Sequence, residues 1–230
     1  PLTLDFHRTD HKDGTATYLR EFLRQYMTAK RPVRSDYPSW SRVQFVIDSI
    51  AWDTDPLYGW CNKNFKKDGT PYNVYADGLR VFTTIDSRMQ KYAEEAVYKH
   101  VAGYLQPAFD RENKPKPSAP FSDKLTPNQI RSILNRSIIQ SERYRTMKAA
   151  GYSPEEIHDA FRKKVEMTVF TYHGDIDTLM SPLDSIRYYK GFLRSGFMSM
   201  DPKTGAVKAY VGGLDYTHFM YDMVSLGRRQ

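Results

Sequence analysis

The stretch Phe197–Val211 constrains the fold more than any other part of the 230-residue chain. Phe197-Met198-Ser199-Met200-Asp201 and Ala206-Val207-Lys208-Ala209-Tyr210-Val211 are strand-like runs separated by Pro202-Lys203-Thr204-Gly205. Turn residues between two such runs predict a β-hairpin, with Gly205 supplying the positive φ angle. An antiparallel hairpin in a chain otherwise rich in helical patterns points to the α+β class.

The helical patterns lie on both sides of a less regular middle. From Gly14 to about Lys30, Tyr18, Leu19, Phe22, Leu23, Tyr26 and Met27 recur at helical spacing, with Arg20, Glu21 and Arg24 opposite, and Arg31-Pro32 ends the run. Between Tyr37 and Asp77 the chain is aromatic-rich and broken by Asp55-Pro56, Asp68-Gly69 and Asp77-Gly78, which predicts short strands and loops with a hairpin about Asp68-Gly69. Leu79–Ile85 alternates and is β-branched, as a strand would be. Asp86 then caps a helix with Met89, Ala93, Ala96, Val97 and Val101 as its buried stripe. A Pro- and Lys-rich loop is expected from Gln106 to Pro120. Thr126-Pro127-Asn128-Gln129 and Ser153-Pro154-Glu155-Glu156 each open a helix with a capping box. Glu166–Tyr172 reads as a strand, and Ser181 starts a helix ending near Gly196.

Hydrophobic residues make up 40% of the chain and charged ones 27%, the balance of a globular protein with a core rather than a disordered one. Cys61 is the one cysteine, which excludes an internal disulfide framework and a multi-cysteine zinc site. No apolar run reaches the roughly 18 residues of a membrane helix. The chain starts at Pro1 without a secretory leader and is expected to be a piece of something longer. Its charge of +7 is uneven: Arg111–Lys164 holds twelve Lys/Arg against six Asp/Glu, a net of +6. Such a segment is either a solvated helical face or a surface for an anionic partner.

No catalytic constellation emerges from spacing. Lys203-Thr204-Gly205 has the composition of a penicillin-recognition motif but falls in the hairpin turn, and neither Ser-x-x-Lys nor Ser-x-Asn occurs in the chain. His7 and His11, flanked by Asp5 and Asp10, have metal-like spacing without helical periodicity to bring them together. Asp53/Asp55 and Asp175/Asp177 lack the glycine and glutamate of a calcium loop and read as turn and cap residues. Gly212-Gly213 stands apart from any phosphate-loop pattern. Cys61 is expected to be a packed thiol, reactive only if cations such as Lys63 approach it.

Several segments together resemble one family. Asp77-Gly78-Leu79-Arg80-Val81-Phe82-Thr83-Thr84-Ile85-Asp86, followed by Gln90 and Glu94-Glu95, resembles the start of the transpeptidase domain of class A penicillin-binding proteins. Ser195–Gly213 is similar to that family's central hairpin, and Gly227-Arg228-Arg229-Gln230 to the lead-in to its active-site serine, Arg-Gln-x-Gly-Ser-x-x-Lys. Leu4-Asp5-Phe6 through Tyr18–Arg24 is similar to the stretch leaving the family's glycosyltransferase domain.

The resemblance implies a partial transpeptidase fold: a tail over 1–35, a β-rich linker over 36–78, transpeptidase elements at 79–105 and 195–230, and a basic, mainly helical insertion at 106–194. It implies a parent enzyme anchored in the inner membrane and facing the periplasm. That enzyme polymerises lipid II, cross-links stem peptides through an acyl-enzyme serine, and is acylated there by β-lactams. The serine is expected just after Gln230, so no catalytic residue is assigned within the chain, and Arg229 and Gln230 are scaffold for the nucleophile's helix. No cofactor is implied for this chain, and a divalent metal only for the parent's glycosyltransferase domain. The resemblance leaves 106–194 unaccounted for; its charge suggests an envelope regulatory protein as partner, met by Arg131, Arg136, Arg143 and Arg145. The rival reading is a non-catalytic basic module that holds an anionic polymer or nucleic acid, although no nucleic acid is expected under the family reading.

Overall fold

The computed structural model describes residues 14–225. The readings of His7, His11 and Gly227–Gln230 therefore lie outside the described residues. The chain divides into two units, Pro1–Glu94 with Gly196–Gln230, and Glu95–Ser195.

In the first unit, helix α1 spans Thr17–Met27 and ends before Arg31-Pro32. Its buried side is set by Tyr18, Glu21 and Met27, whereas Phe22 is exposed. Glu21 was read on the polar face; it is buried because Arg24 Nε and Nη2 bind Oε2 at 2.9 and 2.8 Å. Beyond α1, the expected strands of 37–77 are replaced by helix. Helix α2 spans Arg42–Thr54 and α3 spans Trp60–Lys63. The hairpin about Asp68-Gly69 shrinks to a single bridge between Phe65 and Pro71, so the 36–78 segment is not β-rich. Val43, Val46, Ile47 and Ile50 sit at i, i+3, i+4 and i+7 of α2, a helical period that the aromatic-rich, turn-punctuated sequence around it obscured. Two tyrosines tie this segment down: Tyr26 donates to Asp55 at 2.6 Å and Tyr37 to Asp48 at 2.8 Å. Asn62 Nδ2 caps the end of α1, donating to the carbonyls of Thr28 (3.0 Å) and Ala29 (2.9 Å).

Leu79–Ile85 is extended but joins no ladder. Its only anchorage to the hairpin is at its end, where Thr84 Oγ1 donates to Val207 O at 2.7 Å and the Asp86 amide to Lys208 O at 3.0 Å. Asp86 caps as expected: its Oδ1 accepts from the amides of Arg88 and Met89 at the start of α4 (Ser87–His100). The last strands of the unit form the anticipated hairpin. Strand Phe197–Met200 pairs antiparallel with Val207–Val211, with a bulge between Ser199 and Met200. Gly205 has φ 72°.

The second unit is mainly helical. A π-turn over Val101–Leu105 leads straight into α5, Gln106–Asn113, where a loop was expected. Pro107, which has no N–H to give the preceding turn, sits just after the π-turn, where the helical ladder is already altered. Helices α6 (Pro127–Gln140) and α8 (Pro154–Arg162) open with the two capping boxes, while Ser141 caps an additional helix α7, Glu142–Ala149. Strands β1 (Val165–Val169) and β2 (Ile176–Met180) pair antiparallel, and α9 (Pro182–Lys190) follows, closing earlier than Gly196. Numbered in chain order, the hairpin strands of the first unit are β3 and β4. The core of the second unit forms about Ile138, Ile157 and Phe161, with Tyr144, Met147, Leu183 and Ile186 packed on it. The whole is α+β, as the sequence predicts.

Candidate functional site

The second unit holds an open groove of about 950 Å³. Three stretches distant in sequence build it: α5 with the loop after it, the tip of the β1–β2 hairpin, and the end of α9. Gln106 locks two of them together. Its buried amide donates to Asp110 Oδ1 (2.8 Å) and Gly191 O (2.9 Å), and its carbonyl accepts from the Leu193 amide (2.9 Å). The third wall is gripped through the backbone of Phe170, whose carbonyl accepts from Tyr188 (2.7 Å) and whose amide donates to Tyr189 Oη (3.1 Å). Beyond it, a tight turn at Gly174, φ 109°, presents Tyr172 and His173.

The floor is apolar and aromatic. Phe109, Pro107, Pro120, Tyr172, Tyr188 and Phe192 line it, and the last three rings belong to a network of edge-on contacts with centroids 5.0–5.5 Å apart. Burial raises the Tyr172 and Tyr188 hydroxyls above the ordinary tyrosine value. Arg111, Lys114 and Arg187 also line the groove, with exposed side chains that have no hydrogen-bond or ion-pair partner among the described residues. The two carboxylates present are already engaged, Asp110 by Gln106 and Asp184 by the Ser181 hydroxyl at 2.7 Å. None of this was visible as a motif, because the lining is scattered over Ala102–Phe192.

The basic residues singled out from sequence lie elsewhere in the unit. Arg131 and Arg136 are on α6, Arg143 and Arg145 on α7, and all four are exposed. A spacing of five residues separates the first pair by about 140° around the helix, so they do not form one stripe. None of the four lines the groove.

The remaining sequence candidates are structural. Cys61 is 2% exposed, and burial pushes its thiol up, which disfavours the reactive thiolate. Lys63 turns to the Asp55 carbonyl (2.9 Å) and to the face of Trp52. Asp55 accepts from Tyr26 and the Leu57 amide, and Asp177 from Thr168 at 2.7 Å. No group of three or more potential metal ligands occurs among the described residues. Lys203-Thr204-Gly205 is the hairpin turn, with Asp201 Oδ1 accepting from the Lys203 and Thr204 amides. Gly212 and Gly213 are glycine because Tyr18 lies against them. Gln90, noted in sequence only for its resemblance, proves to be a buried bridge: Oε1 accepts from the Tyr210 amide at 2.7 Å and Nε2 donates to Tyr210 O at 2.9 Å. Glu94 Oε1 extends the network, accepting from Gln90 Nε2 and the Ala16 amide, both at 2.7 Å.

Residues 116–193 match the family model of the penicillin-binding protein middle domain. The match supports a penicillin-binding protein family for the chain, and it falls inside the segment that the sequence resemblance leaves unaccounted for. No curated protein and no solved structure matches the chain.

Proposed function

We propose that the chain is a non-catalytic scaffold segment of a class A, bifunctional penicillin-binding protein, whose parent polymerises glycan strands and cross-links their stem peptides through a serine. The observation that carries this reading is the order of the segments. The middle-domain match at 116–193 lies between Asp77–Asp86 and Ser195–Gly213, the two stretches that resemble the transpeptidase domain. On this reading the second unit is a module carried by the synthase, and the Gln90–Tyr210 bridge holds the central hairpin on α4. The lipid II and stem-peptide substrates, the extracytoplasmic location and β-lactam sensitivity belong to the parent.

Labelling with a fluorescent penicillin tests it, applied side by side to this chain and to the full-length product of its gene. The expected result is a labelled full-length protein and an unlabelled chain. Absence of label on both would overturn the synthase reading, and label on this chain would overturn its role as scaffold.

A further inference from the structure

We propose that the groove in the second unit binds an extended acidic peptide segment of a partner protein, with apolar side chains on the aromatic floor and carboxylates met by Arg111, Lys114 and Arg187. This rests on the groove's own geometry and not on the synthase reading.

Shape comes first. A volume of about 950 Å³ is at the upper end of the roughly 300–1,000 Å³ of ligand pockets. Because it is an open groove, it suits a chain passing through rather than an enclosed small molecule. Its walls are fixed in advance by the three bonds of Gln106 and by the grip on Phe170, so little ordering is needed on binding.

The chemistry then selects the occupant. The Gln106 amide and the Tyr188 hydroxyl are committed to internal partners. The two carboxylates, Asp110 and Asp184, accept hydrogen bonds from neutral groups that leave their charges in place, so the three cations give the lining a net charge of +1 (three minus two). The charged groups left without partners are three cations, two of them guanidinium groups suited to bidentate carboxylate binding. Across Glu95–Ser195 there are 16 Lys/Arg against 12 Asp/Glu, so the unit's net charge of +4 adds to the attraction. A phosphate polymer would satisfy the cations but leave the apolar floor uncovered. An apolar peptide would cover the floor but desolvate the cations without return.

Fluorescence anisotropy on the full chain tests this, with a fluorescein-labelled peptide of alternating aspartate and leucine as probe. A peptide with asparagine in place of aspartate and an inorganic polyphosphate serve as competitors. The expected result is saturable binding that weakens with salt, is displaced by unlabelled acidic peptide, and is displaced by neither competitor at equal concentration. Arg111→Glu with Arg187→Glu should weaken it about tenfold or more. Arg131→Glu with Arg136→Glu, outside the groove, should leave it within about twofold. Tyr172→Ala should weaken it as well. All four arginines are exposed, so circular dichroism of both double variants should match the parent chain. No binding, equal loss in both double variants, or displacement by polyphosphate would each overturn the proposal. None of these results depends on penicillin labelling.

Discussion

Replacing Gln90 with Leu isolates what the buried side-chain amide contributes to the first unit. Gln90 is 1% exposed and Tyr210 9%. The substitution nearly preserves volume, so it removes hydrogen bonds without opening a cavity. Tyr210 then keeps a buried N–H and a buried C=O without the partners they have at 2.7 and 2.9 Å. Each orphaned group costs about 1–3 kcal/mol, so the expected loss for the two is about 2–6 kcal/mol. Urea unfolding measures the loss, and hydrogen exchange at the Tyr210 amide shows whether it is local to β4. Gln90→Glu sharpens the test. It keeps an acceptor for the Tyr210 amide but sets a carboxylate against Tyr210 O and Glu94, so its folded-state pKa must rise above that of the unfolded chain. A raised carboxyl pKa means the folded state holds the proton more tightly. The deficit of Gln90→Glu should therefore shrink as the pH falls toward the unfolded carboxyl value and widen as it rises. A Gln90→Leu chain within about 0.5 kcal/mol of the original, with unchanged Tyr210 exchange, would refute the reasoning, since that is the range of surface substitutions.

Two further outcomes are expected. Gly213→Ala should destabilise the first unit by about 1–3 kcal/mol, because the new Cβ falls on the Tyr18 phenol with Cζ 2.6 Å away. Gly205→Ala, which meets nothing within 4 Å, should cost only about 1–2 kcal/mol through its φ of 72°; a Gly213→Ala chain that melts with the original would contradict the packing account. At alkaline pH Tyr26 and Tyr210 should ionise late. Burial and then Asp55 push Tyr26 up to about 12, and burial and then Asp222 raise Tyr210 further, whereas unfolded tyrosine ionises near 10. The folded state keeps protons the unfolded chain releases, so this stability is whole below about pH 10 and is lost as the pH rises through about 12. If replacing Tyr26 with Phe left the rise in tyrosinate absorbance above about pH 11 unchanged and removed amplitude near pH 10 instead, that would count against it.

What was legible in the sequence was local. Both capping boxes, the Asp86 cap, the Gly205 turn and the hairpin around it depend on residues within a few positions of one another, and each formed where its signal stands. The misses came from longer-range balances. The period of Val43, Val46, Ile47 and Ile50 was present, yet the aromatic-rich composition of 37–77 and its turn pairs argued for short strands. The structure leaves these four side chains 46–73% exposed, so the buried face that usually confirms a helix was missing. Leu79–Ile85 failed in the opposite direction. Its alternation is strand-like, but a strand needs a partner along its length, and only Thr84 and Asp86 reach β4. Glu21 was placed by polarity and Gln90 was noted only for its resemblance, and each is buried in hydrogen bonds that local spacing does not reveal: Glu21 with Arg24, and Gln90 with the Tyr210 backbone and Glu94.

The same distinction governs the candidate site. Counting charge singled out Arg111–Lys164 and, within it, four arginines that are exposed around two helices. Exposed charges on a convex surface are screened within about 8–10 Å at physiological salt, so a net of +6 spread this way attracts anions without selecting among them. Selectivity needs charge beside a surface that excludes water, where field lines concentrate and an ill-matched ligand loses hydration it does not recover. Of that segment's cations, Arg111 and Lys114 line a groove with an apolar floor, and they do so with Arg187, which lies outside the segment in sequence. Bringing the three together takes α5, the β1–β2 tip and the Gln106 bridge to α9. Those contacts span 85–87 positions between Gln106 and its partners Gly191 and Leu193. Local spacing carries no trace of such contacts, which is why the helices could be read from the sequence and the groove could not.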